Sequence, residues 1–347
     1  MKIAVVGATG LVGGVMLQVL AERGFAKHEI LAAASPKSTG RLVEFANQRL
    51  TVMRVEDAIA QHPQYAVFSA GATASRQYAP QFAEVGCTVV DNSSCWRMNN
   101  DVPLVVPEIN MDAVAPHHRI IANPNCSTIQ MVLAVSRLHA KYGIKRIVVS
   151  TYQSITGTGI KAVRQLEAEE EFGVNHHVAS AQLRTAIQQT LGEAYQPAYP
   201  NQIYRNLFPH GGDFLPDGYT TEEQKLVNET RKILSDDSIQ VSATVVRVPV
   251  VGGHSESVNV EFHNEYDLNE ARQLIADTPG VVVCDDPTHN LYPTPVMAHH
   301  RDEVLVGRIR RDNTQPRTLN LWVVADNLRK GAATNAIQIL EQLINRQ

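Results

Sequence analysis

Cys126 is the residue of this sequence best placed to do chemistry. It follows an Asn123-Pro124-Asn125 turn, and behind it Ile129, Met131, Val132, Val135, Leu138 and Ala140 recur at helical spacing up to Gly143. The pattern puts the sulfur in the first turn of a helix. Free N–H groups and the positive dipole end of a helix stabilise a thiolate there, and a thiolate is a nucleophile for a carbonyl carbon. The competing fate of a free cysteine is that of a small apolar core residue. His254 follows a Gly252-Gly253 kink at the start of a strand, seven positions after Arg247, a cation between apolar neighbours. A lone histidine is more often structural, but the glycines and the cation make this one a candidate. Gln153 closes another strand, and Arg97 is the cation of the polar loop Asp91-Asn92-Ser93-Ser94-Cys95-Trp96-Arg97. Glu222 and Lys225 share a helix face. Alone they read as a surface ion pair worth roughly 0.3 kcal/mol.

These groups need a scaffold. A chain of 347 residues has room for two domains. A hydrophobic share of 44% and a charged share of 19% are those of an ordinary globular protein. A net charge of −4 without a basic stripe argues against a nucleic-acid surface. No apolar run approaches the ~20 residues that span a bilayer. The cysteines Cys87, Cys95, Cys126 and Cys284 form no CxxC pair, so neither a zinc site nor a disulfide framework is expected. Free thiols without a signal peptide point to the cytoplasm. The histidine pairs 117–118, 176–177 and 299–300 are adjacent in sequence, where side chains point apart, and no metal is expected.

Lys2 to Val6 reads as a buried parallel strand. Gly7, Gly10 and Gly13 follow in a Gly-x-x-Gly-x-x-Gly turn, and then an apolar-periodic helix. Strand, glycine turn and helix form the context in which a backbone approaches a pyrophosphate. The alternative is a tight turn with no ligand. The second strand, about Glu29 to Ala34, ends in Ser35-Pro36-Lys37-Ser38-Thr39-Gly40-Arg41. An NAD site expects a carboxylate there for the ribose 2′-hydroxyl. Hydroxyls and cations without a carboxylate suit a 2′-phosphate, hence NADP, although a polar surface loop has the same composition. Gln64 to Ala70 and Cys87 to Val90 are further strands, and Leu104–Glu108 and Arg119–Ala122 complete the series. Gly71 and Thr73 lie at the carboxyl end of one of them. Alternating strands and helices make this half a doubly wound sheet.

The pattern then changes. Lys145 to Ser154, Ile239 to Pro249, Val258 to Phe262, Val304 to Arg310 and Thr318 to Val324 read as strands of an antiparallel or mixed sheet. Thr220-Thr221-Glu222-Glu223 has the form of a capping box that opens a helix to about Leu234. Gln196 to Gly218 is irregular. A final helix from Ala332 to Ile344 is expected to dock on the first domain.

Four motifs in this order resemble those of aspartate-semialdehyde dehydrogenase, over nearly the whole chain. They are Gly7-Ala8-Thr9-Gly10-Leu11-Val12-Gly13, Asn123-Pro124-Asn125-Cys126-Ser127-Thr128, Arg247 with His254-Ser255-Glu256, and Ala325-Asp326-Asn327-Leu328-Arg329-Lys330-Gly331. The resemblance implies an α/β chain: an N-terminal Rossmann-type doubly wound parallel sheet, plus an α+β catalytic and dimerisation domain with a mixed sheet. Residues 1–124, completed by the C-terminal helix 326–347, would bind NADP, and 125–325 would form the second domain of a homodimer. The implied reaction interconverts L-aspartate 4-semialdehyde, phosphate and NADP⁺ with L-4-aspartyl phosphate and NADPH, on the route to lysine, methionine and threonine.

The resemblance also implies roles. Cys126 would form a thioester, His254 would serve as general acid and base, and Gln153 would position the intermediate. Arg247 would hold the α-carboxylate, Glu222 the ammonium, and Arg97 and Lys225 the phosphate, with Asn125 a further substrate contact. Gly7, Thr9, Gly10, Leu11, Val12, Gly71, Thr73, Thr156, Gly157 and Asn327 would contact the cofactor, and Ser35 and Ser38 its 2′-phosphate. Ser154-Ile155-Thr156-Gly157-Thr158-Gly159 departs from the family by replacing small residues with hydroxyls. Two rivals share this fold. An N-acetylglutamyl-phosphate reductase would have little use for Glu222. A non-catalytic NADP-binding paralogue would not need Cys126, Gln153, Arg247 and His254 together.

Overall fold

The computed structural model describes residues 1–175 and 180–346, and the 176–177 histidine pair lies outside them. Its first sheet runs in the order Met53–Arg54, Glu29–Ala34, Lys2–Val6, Tyr65–Phe68, Thr88–Asp91 and Ile120–Ala122. Every pairing is parallel. Ile3, Val5 and Val67 pack on one face and Ala4, Val6 and Phe68 on the other, so both faces are covered and the strands are apolar throughout. From the central strand Lys2–Val6 the chain first builds outward to one side. It then returns to build the other side from Tyr65–Phe68. The crevice at this reversal, beyond the carboxyl ends of the strands, is where such sheets bind ligands. Gly7 enters it with a φ of +91°, and a Cβ there would lie 2.3 Å from the Ser69 carbonyl oxygen. Only glycine fits.

The second sheet is mixed, in the order Gln240–Val248, Ile144–Ser154, His254–Phe262, Thr318–Ala325, Val304–Arg311 and Val281–Val283. Its two outer pairings are parallel and the three inner ones antiparallel. The helices Cys126–Tyr142, Thr221–Leu234 and Leu268–Ala276 cover one face. The opposite face carries Tyr152 and Trp322, whose rings lie 5.5 Å apart, with Tyr152 exposed.

The helix Cys126–Tyr142 leaves the last strand of the first sheet and enters the first strand of the second. The final helix, Thr334–Asn345, returns to the first sheet, where Ala336, Ile337, Ile339 and Leu340 join its core. A π-helical turn, Arg329–Ala333, precedes it. Within that turn Lys330 is fully buried. Its ammonium donates to Glu108 at 2.7 and 2.8 Å, to Asn335 at 3.1 Å and to Gln338 at 2.7 Å.

Three expectations change. Leu104–Glu108 is not a strand: Leu104 makes one bridge to Ala122, and Pro107–Asn110 is a short helix. Pro107 suits a first helical position, where no N–H is needed. A hairpin, Leu42–Phe45 with Gln48–Thr51, escaped the pattern because its left-handed turn residue is Ala46, not a glycine. Adjacent histidines also do not always diverge. His300 has a φ of +63°, and its ring lies 3.8 Å from that of His299. With Asp326 these two form a group whose ligand atoms lie within 4.8 Å of one another.

Lys330 is held by four acceptor oxygens, so replacing it leaves a buried carboxylate uncompensated. Lys330→Met is expected to cost about 3–5 kcal/mol, read as a lowered midpoint in thermal or urea unfolding.

Candidate active site

Asn125 explains why a helix begins at residue 126. Its backbone is extended, and its Oδ1 accepts from the N–H groups of Ser127 at 3.0 Å and Thr128 at 3.3 Å. That is N-cap geometry. Its other donors are also engaged: the side-chain Nδ2 donates to Glu222 Oε1 at 2.7 Å, and the main-chain N–H to Glu229 Oε2 at 2.6 Å. Both carboxylates come from the helix Thr221–Leu234, whose capping box forms as expected, Thr220 N–H to Glu223 Oε2 at 2.7 Å and Glu223 N–H to Thr220 Oγ1 at 3.3 Å.

A cleft of about 230 Å³ opens at this turn. Arg97, Asn125, Cys126, Glu222 and Lys225 line it together with Thr156, Gly157, Asn327 and Gly331. Val12, from the first turn of the glycine-loop helix, also lines it. Gly331 allows close packing, since a Cβ there would lie 2.8 Å from Cys126 Cβ. Thr156 and Asn327 are joined by a 3.1 Å hydrogen bond.

His254 and Arg247 stand behind Gly157. A Cβ on Gly157 would lie 3.2 Å from His254 Nε2 and 3.1 Å from Arg247 Nη1. The His254 Nδ1 accepts from the Ser154 N–H at 3.0 Å. The neutral ring therefore carries its proton on Nε2, which is buried and without a partner. Burial, with the Arg247 charge beside it, pushes the imidazole down to about 3, so it is neutral at working pH. Arg247 Nη1 donates to the Ser154 carbonyl at 2.9 Å, and its buried Nε has no partner.

The charges around the sulfur oppose one another. Burial pushes the Cys126 thiol up to about 11 and Glu222 adds to the rise, while Arg247, Arg97 and Lys225 pull it down. The expected resting thiolate is thus a thiol: desolvation and the Glu222 charge outweigh the three cations. Burial also works against the Glu222 carboxylate, but Lys225, 2.6 Å away, with Asn125 and Arg247, holds it down at about 2.

Gln153 is buried, and its Nε2 donates to Ser127 Oγ at 2.9 Å. It steadies the residue after Cys126. Arg97 is buried too, with its guanidinium on Asn123 O, Asn92 O and Glu229 Oε1. Glu229 is not singled out by any motif of the sequence. The signal for Glu229 was its spacing, seven after Glu222 and four after Lys225, on one helix face.

The dinucleotide loop fits its ligand on geometry. The helix Leu11–Glu22 starts at Gly10 with no side-chain cap, so its first N–H groups are open to an anion. A Cβ on Gly13 would lie 2.1 Å from the Gly7 carbonyl oxygen, which demands glycine. Thr9 Oγ1 and Ser38 Oγ lie 3.3 Å apart at the end of the second strand, near Ser35. Gly71, φ +81°, and Thr73 open the helix Gly71–Glu84 beside them, and both are exposed.

A glycine-loop parallel sheet followed by a half-buried cysteine at a helix start is an arrangement that semialdehyde dehydrogenases use. Residues 2–117 match the family model "Semialdehyde dehydrogenase, NAD binding domain" and residues 135–330 the model "Semialdehyde dehydrogenase, dimerisation domain". The chain belongs to the aspartate-semialdehyde dehydrogenase family. It is 47% identical to the Aquifex aeolicus enzyme of that name, covering 99% of this chain and 98% of that one. It is 46% identical to the Legionella pneumophila enzyme, over 99% and 95%. Aspartate semialdehyde dehydrogenase II of Vibrio cholerae, solved in complex with ASA, superposes with a TM-score of 0.89 at 41% identity, over 99% of this chain and 98% of that one.

Glu222 raises the thiol, so Glu222→Gln is expected to lower its apparent pKa. The pH profile of Cys126 alkylation by iodoacetamide reads this directly: wild-type reactivity climbs beyond pH 9, and the variant's rise comes earlier.

Proposed function

We propose that the protein reduces L-4-aspartyl phosphate to L-aspartate 4-semialdehyde and phosphate with NADPH, through a thioester on Cys126. One observation carries the reading: a single cleft gathers one sulfur, the cations Arg97 and Lys225, and the carboxylate Glu222. The substrate offers matching groups, a phosphate, an ammonium and an electrophilic carbon. The free Nε of Arg247 supports a bidentate grip on the α-carboxylate. An N-acetylated substrate would leave Glu222 without a cation to bind.

Cys126 Sγ attacks the acyl carbon. The S–C bond forms, the C–O bond to phosphate breaks, and the thiol proton leaves with the phosphate. Arg97 and Lys225 offset the charge that develops on the departing group. NADPH, when bound, supplies a hydride to the thioester carbon. His254 holds its Nε2 proton against the oxygen as that atom becomes negative, and so stabilises the tetrahedral state. Collapse breaks the C–S bond, releases the aldehyde, and returns a thiolate that is protonated from water. Because the Ser154 N–H occupies Nδ1, Nε2 is the ring nitrogen left to serve the substrate. Gln153 acts through Ser127, and Asn125 through the helix cap and its Glu222 bond.

Residues 1–124 with 326–347 form the dinucleotide unit in this reading, and 125–325 the catalytic and dimerisation unit of a cytoplasmic homodimer. Ser35, Ser38, Lys37 and Arg41, with no carboxylate among them, support NADP over NAD. Gly7, Thr9, Gly10, Leu11, Val12, Gly71 and Thr73 would contact the dinucleotide from the first domain, and Thr156, Gly157 and Asn327 from the cleft.

The test is phosphate-dependent NADPH formation from L-aspartate 4-semialdehyde. Cys126→Ala is expected to lower kcat by at least ~10³-fold with cofactor affinity unchanged. Arg247→Lys should raise the semialdehyde KM by about tenfold or more, because lysine cannot offer a planar fork. Comparable turnover by Cys126→Ala contradicts the mechanism.

A further inference from the structure

Glu229 is a carboxylate with no place in the reaction above, yet it is 1% exposed and fully engaged. One oxygen accepts from Arg97 Nη1 at 3.0 Å and the other from the Asn125 N–H at 2.6 Å. We propose that Glu229 is a positioning residue: it locks the anion-binding guanidinium of Arg97 to the backbone of the nucleophile turn, and so sets where phosphate sits relative to Cys126. The proposal rests on reading Arg97 as a phosphate contact.

Stability alone does not account for this arrangement. A buried ion pair contributes little net stability, since desolvating both charges offsets most of their attraction. What the pair does supply is direction. A guanidinium has five N–H donors. Nε is spent on the Asn123 carbonyl, one Nη2 donor on the Asn92 carbonyl, and one Nη1 donor on Glu229. The plane is pinned by three bonds, which leaves one donor on each terminal nitrogen for an anion. Arg97 and Asn125 both line the cleft, while Glu229 stands behind them and lines a neighbouring surface pocket.

The helix Thr221–Leu234 makes the link rigid. Glu222, Lys225 and Glu229 lie at i, i+3 and i+7, one face of that helix. Through this face the helix touches Asn125 twice, at its main-chain N–H and at its Nδ2. It also carries the second cation of the cleft, Lys225. One rigid element thereby sets the nucleophile turn, both cations and the carboxylate in mutual register. An anion held by Arg97 is placed by the same carboxylate that places the residue before the nucleophile.

Glu229→Gln tests this, because its amide must turn a donor toward either Arg97 or the Asn125 N–H. With phosphate, L-aspartate 4-semialdehyde and NADP⁺, the phosphate KM is expected to rise about tenfold, while the semialdehyde KM stays within about twofold. On an Arg97→Ala background the same change should add less than about twofold to the phosphate KM, because the group it positions is gone. Glu229→Asp, which keeps the charge but withdraws it by one methylene, should fall between wild type and Glu229→Gln. It serves as the test if the amide variant does not fold, with NADP⁺ binding as the control for folding. A phosphate KM within twofold of wild type in both variants, or an additive effect with Arg97→Ala, overturns the proposal. If Arg97→Ala alone leaves the phosphate KM unchanged, the assignment of Arg97 fails, and the proposal that rests on it fails with it.

Discussion

The hydrogen bonds around Asn125 are the constraint on which the rest depends. This one residue ends the parallel half of the fold, caps the helix that opens with Cys126, and binds two carboxylates of the helix Thr221–Leu234. Its Oδ1 satisfies two N–H groups that a helix start otherwise leaves to water or ligand. The site is therefore assembled where the sheets meet, and neither half contains it. Val12 comes from the dinucleotide loop, Cys126 from the crossing helix, Arg247 and His254 from strands of the second sheet, and Asn327 from the segment that returns to the first.

Opposed electrostatics follow from that assembly. The cleft sets a carboxylate and several cations around a sulfur shielded from water. The carboxylate and the desolvation hold the proton on the sulfur, and the cations favour its loss. A binding anion adds negative charge beside Arg97 and Lys225, while a bound ammonium would neutralise Glu222, the partner that raises the thiol. Under the proposed reaction, substrate binding would thus alter the balance of charge at Cys126, and burial would make each change count for more than it would in water. His254 is the complement. Kept neutral by burial and Arg247, and tied at Nδ1, it offers one proton at one atom.

Much of this was legible in the residues. Strand, glycine turn and helix at Lys2–Glu22, the mixed character of the second sheet, the capping box at Thr220 and the docking of the last helix follow from periodicity and cap chemistry. So did the helix start at Cys126. What escaped depended on neighbours far along the chain. Leu104–Glu108 has the apolar content of a strand, but Pro107 and the Asn110 side chain, which donates to the Leu104 carbonyl, turn it into a helix start. The thiol's raised pKa comes from burial, which no local motif encodes. Glu229 sits in an unremarkable helix sequence, and its role is visible only once that face is seen against Asn125 and Arg97. The bond from Gln153 to Ser127, the residue after Cys126, likewise depends on a strand distant in the chain.

In the proposed reaction the acyl group passes through the sulfur of Cys126. The direct measurement is to mix the protein with L-4-aspartyl phosphate in the absence of reduced dinucleotide, quench in acid, and map the adduct by mass spectrometry. The expected result is an acyl group on Cys126 that hydroxylamine removes and that added NADPH discharges as semialdehyde. Full turnover with NADPH but no adduct on Cys126 under these conditions, or an adduct on another residue, would contradict it.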